Sequence, residues 1–343
     1  MVIGSEQESG ECSIALEDVL TLQDAQFMGP ATWIQRSPDG WFYFVDSRDG
    51  LVTVHHADGE FFAKVGRKGA GPGEYECVRN IVPAPDNSLF IIDGALSRAS
   101  RFSRGGEFLG SVRVPVAAGA GLSALLMPDG RFLVNDRPAR AATEPIHVLK
   151  LMRGNDNSID LVGRTAVIAK QRWLAERLLG MRADGEILVA HPFSFTIDVH
   201  DTDFTKTETF TRVAEWTPSE HSVSFVSDGL FDTPLTPMLR SVWEDERRLV
   251  WLVMIVPSPA WKPAKPRPRF RRISDEAFAE LAARPRVETI IEVVDLARQT
   301  VMARARFPGS VGTSLGSGIF ATSSKESTGN ASIRITRARL HMA

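Results

Sequence analysis

Thiols are scarce: Cys12 and Cys77 are the only cysteines in 343 residues. Two are too few for a disulfide framework, and their spacing matches no metal-ligand pattern. Neither sign of charge is in excess, since 40 basic and 42 acidic residues leave −2 overall. No global field therefore draws the chain to nucleic acid or to an anionic membrane. Long apolar runs are missing, and none approaches the roughly 20 residues of a membrane helix. The first residues, Met1 to Ser9, have neither a basic n-region nor an apolar core. As written the chain reads as cytoplasmic, or as periplasmic or secreted if a signal peptide has been removed. A phosphate-cradling loop before a helix is absent as well, because the glycines of Gly69 to Gly73 run into a strand.

What is present is repetition. Turn signals recur at Pro38-Asp39-Gly40, Pro85-Asp86-Asn87, Pro128-Asp129-Gly130, Ala183-Asp184-Gly185 and Glu244-Asp245-Glu246. Each lies between two short β-branched or aromatic runs, the pattern of a hairpin. A third run and usually a fourth follow each signal, as in Leu51 to His55 and Glu60 to Val65 of the first unit. Four antiparallel strands per unit, repeated, predict propeller blades. Five full units and a remnant from Gly312 to Leu340 are present, while the run Ile14 to Leu22 belongs to no hairpin of its own. An all-β, six-bladed β-propeller closed by this N-terminal strand follows, because closure removes two open sheet edges. The expectation is a single domain over residues 1–343, acting as a monomer, with an insertion at 257–286 in the fifth blade. That insertion is rich in Pro and Arg over 257–272, and Ser274, with Asp275 and Glu276 behind it, predicts a short helix.

The first unit reads Phe42-Tyr43-Phe44-Val45-Asp46, Val52-Thr53-Val54, Asp58-Gly59-Glu60-Phe61, Gly66 and then Gly69-Ala70-Gly71-Pro72-Gly73-Glu74-Tyr75. It resembles one repeat of the NHL-like six-bladed β-propellers, most of all the bacterial branch whose repeats end in a Gly-Pro-Gly-Glu-aromatic loop. The second unit repeats part of this in Leu89 to Asp93, Arg101-Phe102 and Gly106-Glu107-Phe108. The motif is specific only over about residues 31–113 and fades in later units. The resemblance implies the fold. It does not imply one function, because the family holds scaffolds and ligand-binding propellers as well as lactonases and lyases.

Candidate site residues follow from the blade layout. Loops joining the second strand to the third share the face of the channel mouth, and Asp46, Asp93, Asn135, Asp136 and His191 fall there. Oxygen ligands converging from several blades suit Ca²⁺, the one cofactor considered; the alternative is that each Asp caps its own turn. No metal ligand set can be named. His191 is the candidate for acid–base work, with Asp93 beside it as a second catalytic candidate. Arg36, Arg79, Arg177, Arg182 and Arg240 lie on or near inner strands, where several together would form an anion-binding funnel. His55 and His56 are adjacent in a strand and so point to opposite faces. Trp261 and Phe270 of the insertion would line a pocket if it folds over the mouth, or would reach solvent on a polyproline-like arm.

Two functions are consistent with these residues. One is a propeller that binds a small molecule or peptide at the mouth, using Asp46, Asn135, Asp136, Arg79, Arg177, Arg240, Trp261 and Phe270. The other is a small-molecule hydrolase, lyase or cyclase with His191 as acid or base. Nucleic acid and a membrane span are not expected partners.

Overall fold

The second strand of the first blade, Phe42–Val45, is buried at every position, and so is Phe132–Asn135 of the third. Strict alternation marks a sheet with one wet face; continuous burial marks a strand covered on both. The computed structural model supplies the reason, since each blade is sandwiched between two others. It describes residues 1–3, 12–23, 33–45, 50–114, 123–135, 146–152, 159–165, 175–216, 236–260, 287–325 and 331–342.

Six sheets of four or more strands make a six-bladed propeller. The innermost strands are Trp33–Arg36, Val78–Pro83, Ala124–Leu126, Leu178–Met181, Met238–Glu244 and Thr313–Ser314. In the first five blades the chain then runs outward through three further antiparallel strands. The turn signals at Asp39, Asp86, Asp129, Asp184 and Asp245 each join an innermost strand to the second, as expected. These turns define the lower face. The upper face carries the loops from second to third strand and the connections between blades.

The sixth blade is assembled from both ends of the chain. Cys12–Gln23 forms its outer strand and pairs antiparallel with Ala331–Met342. Val2–Ile3 goes further and adds in parallel to the outer strand of blade 4, Thr207–Arg212. Ile3 is fully buried there among Leu188, Phe210, Leu296 and Val301. The N-terminus therefore closes the ring and also fastens a second blade.

Apolar burial is divided into six clusters, one between each pair of neighbouring blades. The contact of blades 5 and 6 holds Trp243 stacked on Trp251 at 5.4 Å between centroids. Each fully buried Leu, Ile or Phe contributes about 1.5–3 kcal/mol, so adhesion between blades is spread around the ring. Charge ties the lower face together. Arg104 of blade 2 reaches Asp39 of blade 1 at 2.7 Å, Arg131 of blade 3 reaches Asp203 of blade 4 at 3.1 Å, and Arg182 of blade 4 reaches Glu244 of blade 5 at 2.7 Å.

The glycine-rich stretch after blade 1 is a blade-to-blade connection, with Arg67–Lys68 paired in parallel with Glu74–Tyr75. Gly66 has φ +65°, and a Cβ on it would come within 2.7 Å of the Tyr75 ring. The glycine lets Tyr75 turn inward. Its hydroxyl accepts from Val52 N at 2.9 Å and donates to Val65 O at 2.7 Å. Glu74 takes Gly71 N at 2.7 Å and Arg67 Nε at 2.8 Å, so its carboxylate braces the loop. The helix expected at Ser274 lies outside the described residues, which contain no helix.

Candidate functional site

The backbones of the innermost strands do not pair with one another, and a channel runs between them. A cavity of about 450 Å³ occupies it and takes lining residues from all six blades. Gln35, Asn80, Ser123, Arg177, Arg240 and Thr313 represent blades 1 to 6 in turn. Hydroxyl groups bridge strands whose backbones do not meet. Ser241 Oγ donates to Ser314 Oγ at 2.9 Å between blades 5 and 6, and Ser123 Oγ accepts from Leu179 N at 3.2 Å between blades 3 and 4. The walls are thus rich in hydrogen-bonding groups and carry charge from Glu176, Arg177 and Arg240.

The residues expected at the mouth separate into different roles. Asp93 is fully buried. It accepts from Glu76 N at 2.7 Å, Cys77 N at 3.2 Å, Ala95 N at 2.8 Å and Leu96 N at 3.1 Å. Four backbone donors make it a latch that joins its own turn to the incoming connection from blade 1, which is the turn-capping geometry. Asn135 takes the same place in blade 3 and is equally buried. It donates to Val148 O and Ala175 O and accepts from Arg177 N at 2.9 Å. Neither side chain lines the cavity. In blade 5 the corresponding connection is held instead by Thr289, which donates to Gly309 O and accepts from Val311 N. Asp46, Asp136, Trp261 and Phe270 lie outside the described residues. Among the described residues no three His, Cys, Asp or Glu side chains gather to hold a metal, and the four donors on Asp93 point to backbone bracing rather than to a Ca²⁺ ligand.

His191 has a partner that short-range spacing did not reveal. Its Nε2 lies 2.7 Å from Asp198 Oδ2, and Asp198 Oδ1 accepts from Thr209 Oγ1 at 2.7 Å. His191 pairs directly with Thr196 across the hairpin, so Asp198 is its diagonal neighbour, within reach of a long side chain. Burial, and then the nearby Arg177 charge, hold the His191 pKa below its ordinary value against the pull of Asp198. Burial works to raise Asp198, but the hydrogen bonds from His191 and Thr209 outweigh it and keep its pKa low. The pair is therefore a neutral imidazole donating from Nε2 to a carboxylate, which leaves Nδ1 as the basic atom. Arg177 stands between this pair and the channel. It is 3% exposed, donates to Glu176 O at 2.8 Å, and is pushed down to about 10, chiefly by burial.

Of the inner-strand arginines, Arg177 and Arg240 line the cavity. Arg79 packs at the upper end of blade 2 over Gly94, where a Cβ would come within 2.7 Å of its Cγ. Arg36 lies at the lower end beside Phe42, and Arg182 is paired with Glu244 and Glu186. The funnel is smaller than expected because two of its five members sit at the other end of their strands.

A family described as a 6-bladed beta-propeller matches residues 36–141 of the chain. No curated protein matches. Among solved structures, a member of the DUF4221 family from Bacteroides vulgatus is similar over 96% of this chain and 99% of its own, at 10% identity and a TM-score of 0.65. A candidate exported protein from Bacteroides fragilis is similar over the full length of both chains, at 13% identity and a TM-score of 0.58. Virginiamycin B lyase from Staphylococcus aureus is similar over 96% of this chain and all of its own, at 10% identity and a TM-score of 0.48. At these identities the likeness concerns the fold, and nothing of that lyase's chemistry transfers.

Proposed function

We propose that the protein is a ligand-binding propeller that takes a small molecule or the tip of a peptide into its central channel, the whole chain acting as a single domain. The observation that carries this is the 450 Å³ cavity with hydrogen-bonding residues from every blade. A channel needed only for packing would be filled with apolar side chains; ligand sites combine a concave wall with a few convergent polar groups. The loop from Gly69 to Tyr75 supports placing the chain near the NHL-like propellers, many of which serve as binding platforms. The test is a small-molecule melting screen in which each hit is repeated on Thr313→Trp, a substitution at an exposed cavity position. Hits should lose their stabilisation in that variant. Hits that keep it in full would move binding elsewhere and overturn the reading.

One observation favours a second reading, an enzyme. Asp198 orients His191 as the third member of a catalytic triad orients its base, although His191 does not itself line the cavity. In that case Asp198→Asn should abolish turnover while leaving channel hits bound. Turnover unchanged in His191→Ala would remove this reading.

A further inference from the structure

Resting on the channel reading above, we propose that the ligand is an oxyanion, a carboxylate or phosphate group held at the upper end of the channel by arginines of facing blades. Two irregularities of the inner strands carry the idea. In blade 2, Ile92 pairs with Asn80 and Asp93 with Val78, so Arg79 is the extra residue of a bulge. In blade 5, Leu239 pairs with Met254 and Ser241 with Val253, so Arg240 is likewise the extra residue. A bulge turns one side chain out of the regular alternation, and such bulges gather beside functional sites. Blades 2 and 5 stand three places apart in a ring of six, hence opposite each other across the channel. Both bulges lie near the upper end of their strands, and Arg177 immediately precedes the innermost strand of blade 4 at that same end.

The charge balance points the same way. Arg104, Arg131 and Arg182 of the lower face are all matched by carboxylates. Among the described residues, neither Arg79 nor Arg240 has a carboxylate within ion-pair reach. The Arg79 Nε is buried without a hydrogen-bond partner, and Arg240 Nη1 has only Met238 Sδ at 3.8 Å. Among the described lining residues, Arg177 and Arg240 outnumber the one carboxylate, Glu176. An oxyanion would supply the missing acceptors, and the planar guanidinium fork matches carboxylate and phosphate oxygens.

Calorimetric titration of the full chain with citrate and with inorganic phosphate, at constant ionic strength and with glycerol as an uncharged control, tests the proposal. Whichever oxyanion binds identifies the group as carboxylate or phosphate. Arg240→Gln should weaken binding about 10-fold, and Arg79→Gln with Arg240→Gln about 100-fold, with the melting temperature unchanged. Failure of both oxyanions to bind the unmodified chain overturns the proposal, as does a double variant that binds as tightly as the parent. Thr313→Trp separates the two levels. Binding lost there but intact in the double arginine variant removes the anion assignment alone, whereas binding intact in Thr313→Trp removes the channel reading.

Discussion

Arg212 of blade 4 and Glu292 of blade 5 form a two-pronged ion pair, Nε to Oε2 at 2.7 Å and Nη2 to Oε1 at 2.8 Å, with both side chains wholly buried. Arg304 Nε adds a third contact to Glu292 Oε1 at 2.8 Å, and the Trp216 ring lies beside both guanidinium groups. Removing one member of a buried pair strands the other. Arg212→Leu should therefore cost about 3–5 kcal/mol, seen as a lower urea midpoint. The triple change Arg212→Met, Glu292→Leu and Arg304→Met, which also removes the second arginine on Glu292, should recover much of the loss, since an apolar cluster of similar volume needs no desolvation. Equal midpoints for Arg212→Leu and the parent would show that the pair is not dry.

The same network reaches the N-terminus. Ile3 O accepts from Val213 N at 3.3 Å and lies 3.4 Å from Arg212 Nη1, while the Ile3 side chain is fully buried. Ile3→Ala should destabilise the chain by about 2–4 kcal/mol. Deleting residues 1–23 removes the outer strand of blade 6 in addition and should open the ring, with early proteolysis of blades 4 and 6 as the readout. A truncated chain that melts like the intact one would disprove closure from the N-terminus.

Tyr75→Phe isolates a single hydroxyl. It leaves Val52 N and Val65 O without their buried partner, and an unmet buried polar group costs about 1–3 kcal/mol. The expected result is a lower melting temperature with the far-ultraviolet spectrum intact. An unchanged melting temperature would mean that water replaces the hydroxyl.

Acid should weaken the fold through its histidines. Burial is the leading cause that lowers the pKa of His55, His191 and His200 in the folded chain. The unfolded chain then binds more protons, so stability is complete above the ordinary histidine value of about 6.5 and is lost as pH falls through the depressed folded values. Asp198, also depressed, adds a loss of the same sign at lower pH, below about 3.9. Urea midpoints measured from pH 7.5 to pH 5 should decline, and less steeply in His191→Gln. A midpoint that rises toward pH 5 would contradict the assignment of buried neutral imidazoles.

Much of the architecture could be read in advance because the blade is a local object. Each Asx-containing turn declares a hairpin between residues less than ten apart, and the stranded run at Ile14 to Leu22 had no partner except the far end of the chain. The site was less legible. Asp93 and Asn135 stood out because they share one place in the repeat, and in those two blades that place braces the backbone of a blade-to-blade connection. His191 was found without its partner because Asp198 becomes a neighbour only through the register of one hairpin. The bulges that single out Arg79 and Arg240 have no signature in composition or period.

Strand propensity, turn chemistry and repeat length act over a few residues, so the sequence by itself determined the blades, their number and the need for a closing strand. Which side chains face the channel was decided only by the ring. A one-residue shift of register exchanges one neighbouring blade for the other, since Tyr43 and Val45 pack toward blade 2 while Phe42 and Phe44 pack toward blade 6, and that register is set by contacts between blades. The buried Arg212–Glu292 pair and the docking of Ile3 belong to the same class. Their partners lie 80 and 209 residues away along the chain, and only closure of the propeller brings them together.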